Sequence, residues 1–112
     1  MTISTEEIDM VSMRQAAMKA SGLLKALANP DRLLLLCQLS QREYNVGELE
    51  SLTGIAQPTL SQQLSVLREE HLVSTRREGK QIFYSIASKE ALAVMHVLYQ
   101  QFCAPSNGEK DD

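Results

Sequence analysis

Residues 45–64 read Asn45-Val46-Gly47-Glu48-Leu49-Glu50-Ser51-Leu52-Thr53-Gly54-Ile55-Ala56-Gln57-Pro58-Thr59-Leu60-Ser61-Gln62-Gln63-Leu64, and the fold turns on them. Asn45 followed three residues later by Glu48 is a capping arrangement, in which each side chain satisfies the other's free backbone donor. Leu49 and Leu52 form the inner stripe of a short helix, and Gly54 is placed to end it in a left-handed conformation. Gln57-Pro58 reads as a second N-cap with proline at the first helical position. Leu60, Leu64 and Leu67 then define one apolar face at steps of four and three. Two short helices joined by a tight, glycine-containing turn predict a helix-turn-helix.

Upstream, Thr5 is a candidate N-cap with acids after it. Ile8, Val11, Ala16, Ala20, Leu23, Leu24 and Leu27 recur at helical steps to about Ala28, with Gly22 interrupting. Asn29-Pro30-Asp31 stops that helix and starts another, whose Leu33-Leu34-Leu35-Leu36-Cys37 is apolar all round and so expected to be buried on most sides. Downstream the period changes to two. Val73, Thr75 and Arg77 alternate with Ser74 and Arg76, and Ile82, Tyr84 and Ile86 alternate with Phe83 and Ser85. Glu78-Gly79 suits the hairpin tip between them. A last helix starts at Ser88, carries Leu92, Met95, Leu98, Tyr99 and Phe102, and ends near Ala104-Pro105. The expected fold is mainly α with a small β-hairpin wing, a winged helix-turn-helix. It occupies residues 1–105, and residues 106–112 form an acidic tail expected to be disordered.

The length of 112 residues allows one domain, and 44% apolar with 22% charged residues is ordinary for a globular protein. No apolar run reaches the roughly 20 residues of a membrane-spanning helix. Glu6, Glu7 and Asp9 stand where a secretory signal would be basic and apolar, so a cytoplasmic location is expected. Acids near both termini account for the net charge of −3, and residues 14–105 carry +2. A mildly basic body neither demands nor excludes nucleic acid. No nucleophile, base and orienting group stand together and no glycine-rich phosphate loop occurs, which counts against an enzyme.

With Leu60, Leu64 and Leu67 inward, Gln62, Ser65 and Glu69 point outward, flanked by Thr59 and Ser61. Short donors, acceptors and amides near a helix N-terminus suit base edges and phosphates, although a solvated polar face reads the same way. Arg76, Arg77 and Lys80 at the hairpin tip weigh towards duplex DNA, because a solvated turn has no need of arginine. The terminal helices carry more apolar surface than one chain of this size covers. Met95, Leu98 and Phe102 are therefore expected to be left partly exposed by a monomer and to meet a second copy in a homodimer.

Taken together, Leu23-Leu24-Lys25-Ala26-Leu27-Ala28-Asn29-Pro30-Asp31-Arg32-Leu33, Val46-Gly47-Glu48-Leu49, Gln57-Pro58-Thr59-Leu60-Ser61-Gln62-Gln63-Leu64, Leu67-Arg68 and Phe83-Tyr84 resemble the ArsR/SmtB family over nearly the whole chain. Within that family the likeness is to the persulfide-responsive BigR/SqrR/HlyU group. The resemblance implies a homodimeric winged-helix repressor that leaves its operator DNA when its inducer acts. It places Gln57, Thr59, Ser61 and Gln62 in the recognition helix and Arg76, Arg77 and Lys80 in the wing.

Cys37 and Cys103 are the only cysteines, and residues alone favour two unrelated core thiols over a functional pair. The sequence departs from metal-sensing members: Val46-Gly47-Glu48-Leu49 stands where a cysteine pair would be, and His96 is alone on the last helix. Two thiols and one imidazole fall short of a closed zinc site, so neither metal nor cofactor is expected. His96 and Cys103 are seven apart, about 10 Å along a helix, too far for the imidazole to activate the thiol. The resemblance implies a Cys37–Cys103 dithiol switch that reactive sulfur species close. Metal or general-oxidant sensing, and activation by anti-silencing, are the alternatives within the same family.

Overall fold

The computed structural model describes residues 9–103. The Thr5 cap, Ile8, the Ala104-Pro105 boundary and the 106–112 tail lie outside them. Helix α1 (Met10–Leu27) is capped by Asp9, whose carboxylate accepts from the Ser12 amide. Helix α2 (Pro30–Leu39) follows with Asn29 as its cap, accepting from the Arg32 amide, and proline in its first turn. A two-residue strand β1 (Tyr44–Asn45) leads into α3 (Val46–Thr53) and α4 (Gln57–Glu69). Strands β2 (Val73–Glu78) and β3 (Gln81–Ile86) form the wing, and α5 (Lys89–Leu98) runs into a π-helical turn, Tyr99–Cys103.

The Asn45–Glu48 capping box forms in both directions, and Gly54 ends α3 at φ 74°. The Gln57 expectation is corrected by one residue. Ala56 is the cap of α4, Gln57 is its first residue, and no side chain caps it. Glu78 pairs with Gln81, so the two-residue tip is Gly79-Lys80 rather than Glu78-Gly79, with the positive φ at Gly79. The sheet has a third strand that periodicity did not show: β1 pairs antiparallel with β3, Tyr44 opposite Tyr84, giving the order β1-β3-β2. Two residues are too few for an alternating pattern to register.

Leu35, Leu36, Leu49, Leu60, Leu64 and Leu67 are fully buried and join α2, α3 and α4 into one core. Each contributes on the order of 1.5–3 kcal/mol by leaving water, so six of them dominate the fold. Three burial expectations change. Leu52 is 52% exposed, because α3 turns only its Leu49 side inward. Helix α2 is central, yet Leu34 is exposed and Cys37 half-buried, so one side of it stays open. Met95, expected at a surface left for a partner, is 3% exposed and belongs to the chain's own core beside Ala91.

Candidate nucleic-acid interface and thiol groove

On α4 the buried leucine stripe turns Gln57, Ser61, Gln62 and Ser65 out to solvent, with Thr59 half-buried beside them. Gln57 is held on both ends: its amide donates to Glu50 Oε1 at 3.2 Å, and its carbonyl oxygen accepts from Ser61 Oγ at 3.4 Å. That contact ties α3 to the first turn of α4. With no side chain capping α4, the first amide donors have no side-chain acceptor, an arrangement that suits a phosphate. Gln62 and Ser65 are free of side-chain hydrogen bonds among the described residues, so their donors and acceptors are available.

The wing cations differ among themselves. Arg76 faces the chain's own acids: its Nε is 3.0 Å from both carboxylate oxygens of Glu43, its Nη1 donates to Glu78 at 2.9 Å, and its guanidinium lies 4.7 Å from the Phe83 ring centre. The Arg76 hydrogen bond holds the Glu43 carboxyl below its ordinary value, and Glu43 in turn raises Arg76. Arg77 and Lys80 are exposed and form no ion pair among the described residues. Among the described residues the wing thus presents two unpaired cations and one that is anchored. Glu43, the anchoring acid, was not singled out from the sequence. Its signal was the pairing with the wing of Tyr44-Asn45, the strand just after it, which two residues conceal.

On the other side of α2, Cys37 and Cys103 line one apolar groove of about 460 Å³ with Leu33, Leu34, Leu98 and Phe102 among its walls. Both are free thiols; Cys37 is half-buried and Cys103 exposed. Burial pushes the Cys37 thiol up from its ordinary value, and the neighbouring Cys103 pushes it the same way. His96 is exposed and is not part of the groove lining. No group of three metal-ligating side chains occurs among the described residues. None of their helices is long and apolar enough to cross a membrane.

A capped helix-turn-helix with an uncapped recognition helix and an adjoining basic hairpin defines a winged-helix DNA-binding protein. Residues 29–75 match the family described as bacterial regulatory protein, arsR family. The chain is 54% identical over 99 residues to the biofilm growth-associated repressor of Agrobacterium fabrum, covering 88% of this chain and 85% of that one. It is 41% identical over 96 residues to the transcriptional activator HlyU of Vibrio cholerae, covering 86% and 89%. The crystal structure of the transcriptional repressor BigR from Xylella fastidiosa superposes with a TM-score of 0.79 at 48% identity, covering 87% and 99%. The chain belongs to the ArsR family and is a DNA-binding transcriptional regulator, not an enzyme.

Proposed function

We propose that the protein is a homodimeric repressor that reads its operator with Gln57, Thr59, Ser61, Gln62 and Ser65, holds phosphates with Arg77 and Lys80, and releases DNA when reactive sulfur species link Cys37 to Cys103. The observation that carries the sensing half is the shared groove, because two thiols from distant parts of the chain line one apolar wall. A thiolate attacks the sulfane sulfur of a polysulfide, expelling a shorter polysulfide. The second thiolate then attacks a sulfur within the bound chain, breaking the S–S bond beyond it and expelling hydrosulfide or a shorter polysulfide, which closes a bridge of two or more sulfurs. Each added sulfur lengthens the bridge by up to about 2 Å, so polysulfide can span a gap that peroxide closes only with strain. The bridge ties α2 to the turn after α5, and α2 packs directly on α4. The repressing direction follows the repressors among the relatives.

Cys37→Ser and Cys103→Ser should each bind operator as the wild type does and fail to release it with polysulfide. Mass spectrometry of the wild type should show an intramolecular Cys37–Cys103 link carrying more mass than a disulfide. Release by polysulfide in both single variants, or equal release of the wild type by zinc, would refute the dithiol mechanism.

A further inference from the structure

Arg32, the third residue of α2, makes two hydrogen bonds that no motif announced. Its Nε donates to the Ala26 carbonyl at 2.6 Å, and its Nη1 donates to Gln63 Oε1 at 2.8 Å. Its own backbone amide is held by Asn29 at 3.0 Å. The three contacts join the last turn of α1, the cap of α2 and the recognition helix α4 at one residue, two of them through its guanidinium. Arg32 and Gln63 are both half-buried, and among the described residues no carboxylate pairs with Arg32. Its charge is met instead by the amide dipole of Gln63 and by a carbonyl at the negative end of α1. A planar fork with two fixed acceptors sets an orientation, which a point charge does not.

We infer that Arg32 is the residue that positions the recognition helix, fixing the rotation of α4 about its axis through Gln63. The leucine stripe sets how deeply α4 sits, but apolar contact is non-directional and specifies the rotation of α4 about its own axis less sharply than a hydrogen bond does. On a helix about 10–12 Å across with its side chains, a 15° rotation moves a side-chain tip by roughly 1.5 Å. That exceeds the play in a hydrogen bond of 2.8 Å, so the fork resists a rotation that the core would allow. Gln62 precedes Gln63 on the same helix, and its amide keeps its aim only while that rotation is held. The inference rests on the chain's being a DNA-binding regulator and is independent of the thiol chemistry.

The test uses the full chain, a duplex selected from a random pool by the wild type, and a random duplex of equal length, each titrated across a salt series. Arg32→Lys keeps the charge and loses the fork; Gln63→Met keeps the shape and loses the acceptor. Each should lower the ratio of selected to random affinity about tenfold, a typical loss for a hydrogen bond to a charged group, with the salt slope unchanged. The double variant should be no worse than the poorer single one, because both remove the same link. Gln63→Glu, a stronger acceptor, should keep the ratio near that of the wild type. Three results would overturn the inference: multiplied losses in the double variant, a Gln63→Glu loss as large as that of Gln63→Met, or a ratio that none of the variants moves.

Discussion

Gln62 and Arg77 differ in what a duplex would take from them. An amide gives a paired donor and acceptor to adenine, and a guanidinium on the wing gives charge to any phosphate. Gln62→Ala should therefore lower affinity for the cognate operator by about 1–3 kcal/mol and leave random DNA nearly unaffected. Arg77→Ala should weaken both and reduce the salt slope by about one ion. Equal losses on both duplexes for Gln62→Ala would place the reading face elsewhere on α4. At this scale the sequence was a good guide where a residue acts on its near neighbours, the Gln57 cap and the Glu78-Gly79 tip excepted. Asn29, Asn45, Gly54 and Ser88 cap or end the helices expected of them. It was silent on Arg32 with Gln63, 31 positions apart, and on Arg76 with Glu43, 33 apart. Periodicity carries information along one element, and these pairs exist only after elements meet.

The wing shows the same division one level up. Alternation from Val73 and from Ile82 located both strands, while the third strand and the acid just before it stayed hidden. Arg76 lies opposite Phe83 across the hairpin and reaches Glu43 beyond β1, so the anchor fixes the whole hairpin to the segment that begins the helix-turn-helix. Asn45 Nδ2 donates to Gln81 Oε1 at 3.0 Å and adds a second tie nearer the tip. Glu43 titrates below its ordinary 4.5, chiefly through the Arg76 hydrogen bond. A depressed carboxylate contributes in full above its unfolded value and loses that contribution as pH falls through its folded one. The wing should thus stay anchored at neutral pH and loosen only below about pH 4.5. The backbone amide signals of Arg76 and Phe83, followed by NMR, should show an acid midpoint under that value. In Glu43→Gln that step should vanish and the hairpin amides should exchange faster. A midpoint at the ordinary carboxylate value, or unaltered exchange in the variant, would show that the anchor does not hold the wing.

Over the whole molecule the feature that a single chain leaves unexplained is α1. Its 18 residues bury only Ala26 and Leu27, while Met10, Val11, Met13, Met18 and Leu24 face outward. The radius of gyration is 16.9 Å, against about 13 Å for a compact domain of this length. Most of a helix's stability in a protein comes from packing an apolar face, and the N-terminal part of α1 has its apolar residues turned outward, so it gains from a surface to lie on. At the other end of the chain Phe102 is 81% exposed, with Val97 and Tyr99 also turned out. A second copy would cover both stripes and set two recognition helices about one turn of DNA apart, roughly 34 Å. Among the three residues expected at that interface, Met95 is already committed to the core and Leu98 packs partly against it, so a charge at either would also injure the single chain. Phe102 gives the cleaner experiment. Phe102→Glu places a carboxylate in the proposed contact without touching the buried core, and Met18→Glu does the same from α1. Both should sediment as folded monomers at micromolar concentration and bind operator far more weakly than the wild type, because each half-site then stands alone. A wild type that is itself monomeric there, or a Phe102→Glu dimer as stable as the parent, would leave α1 to some other partner.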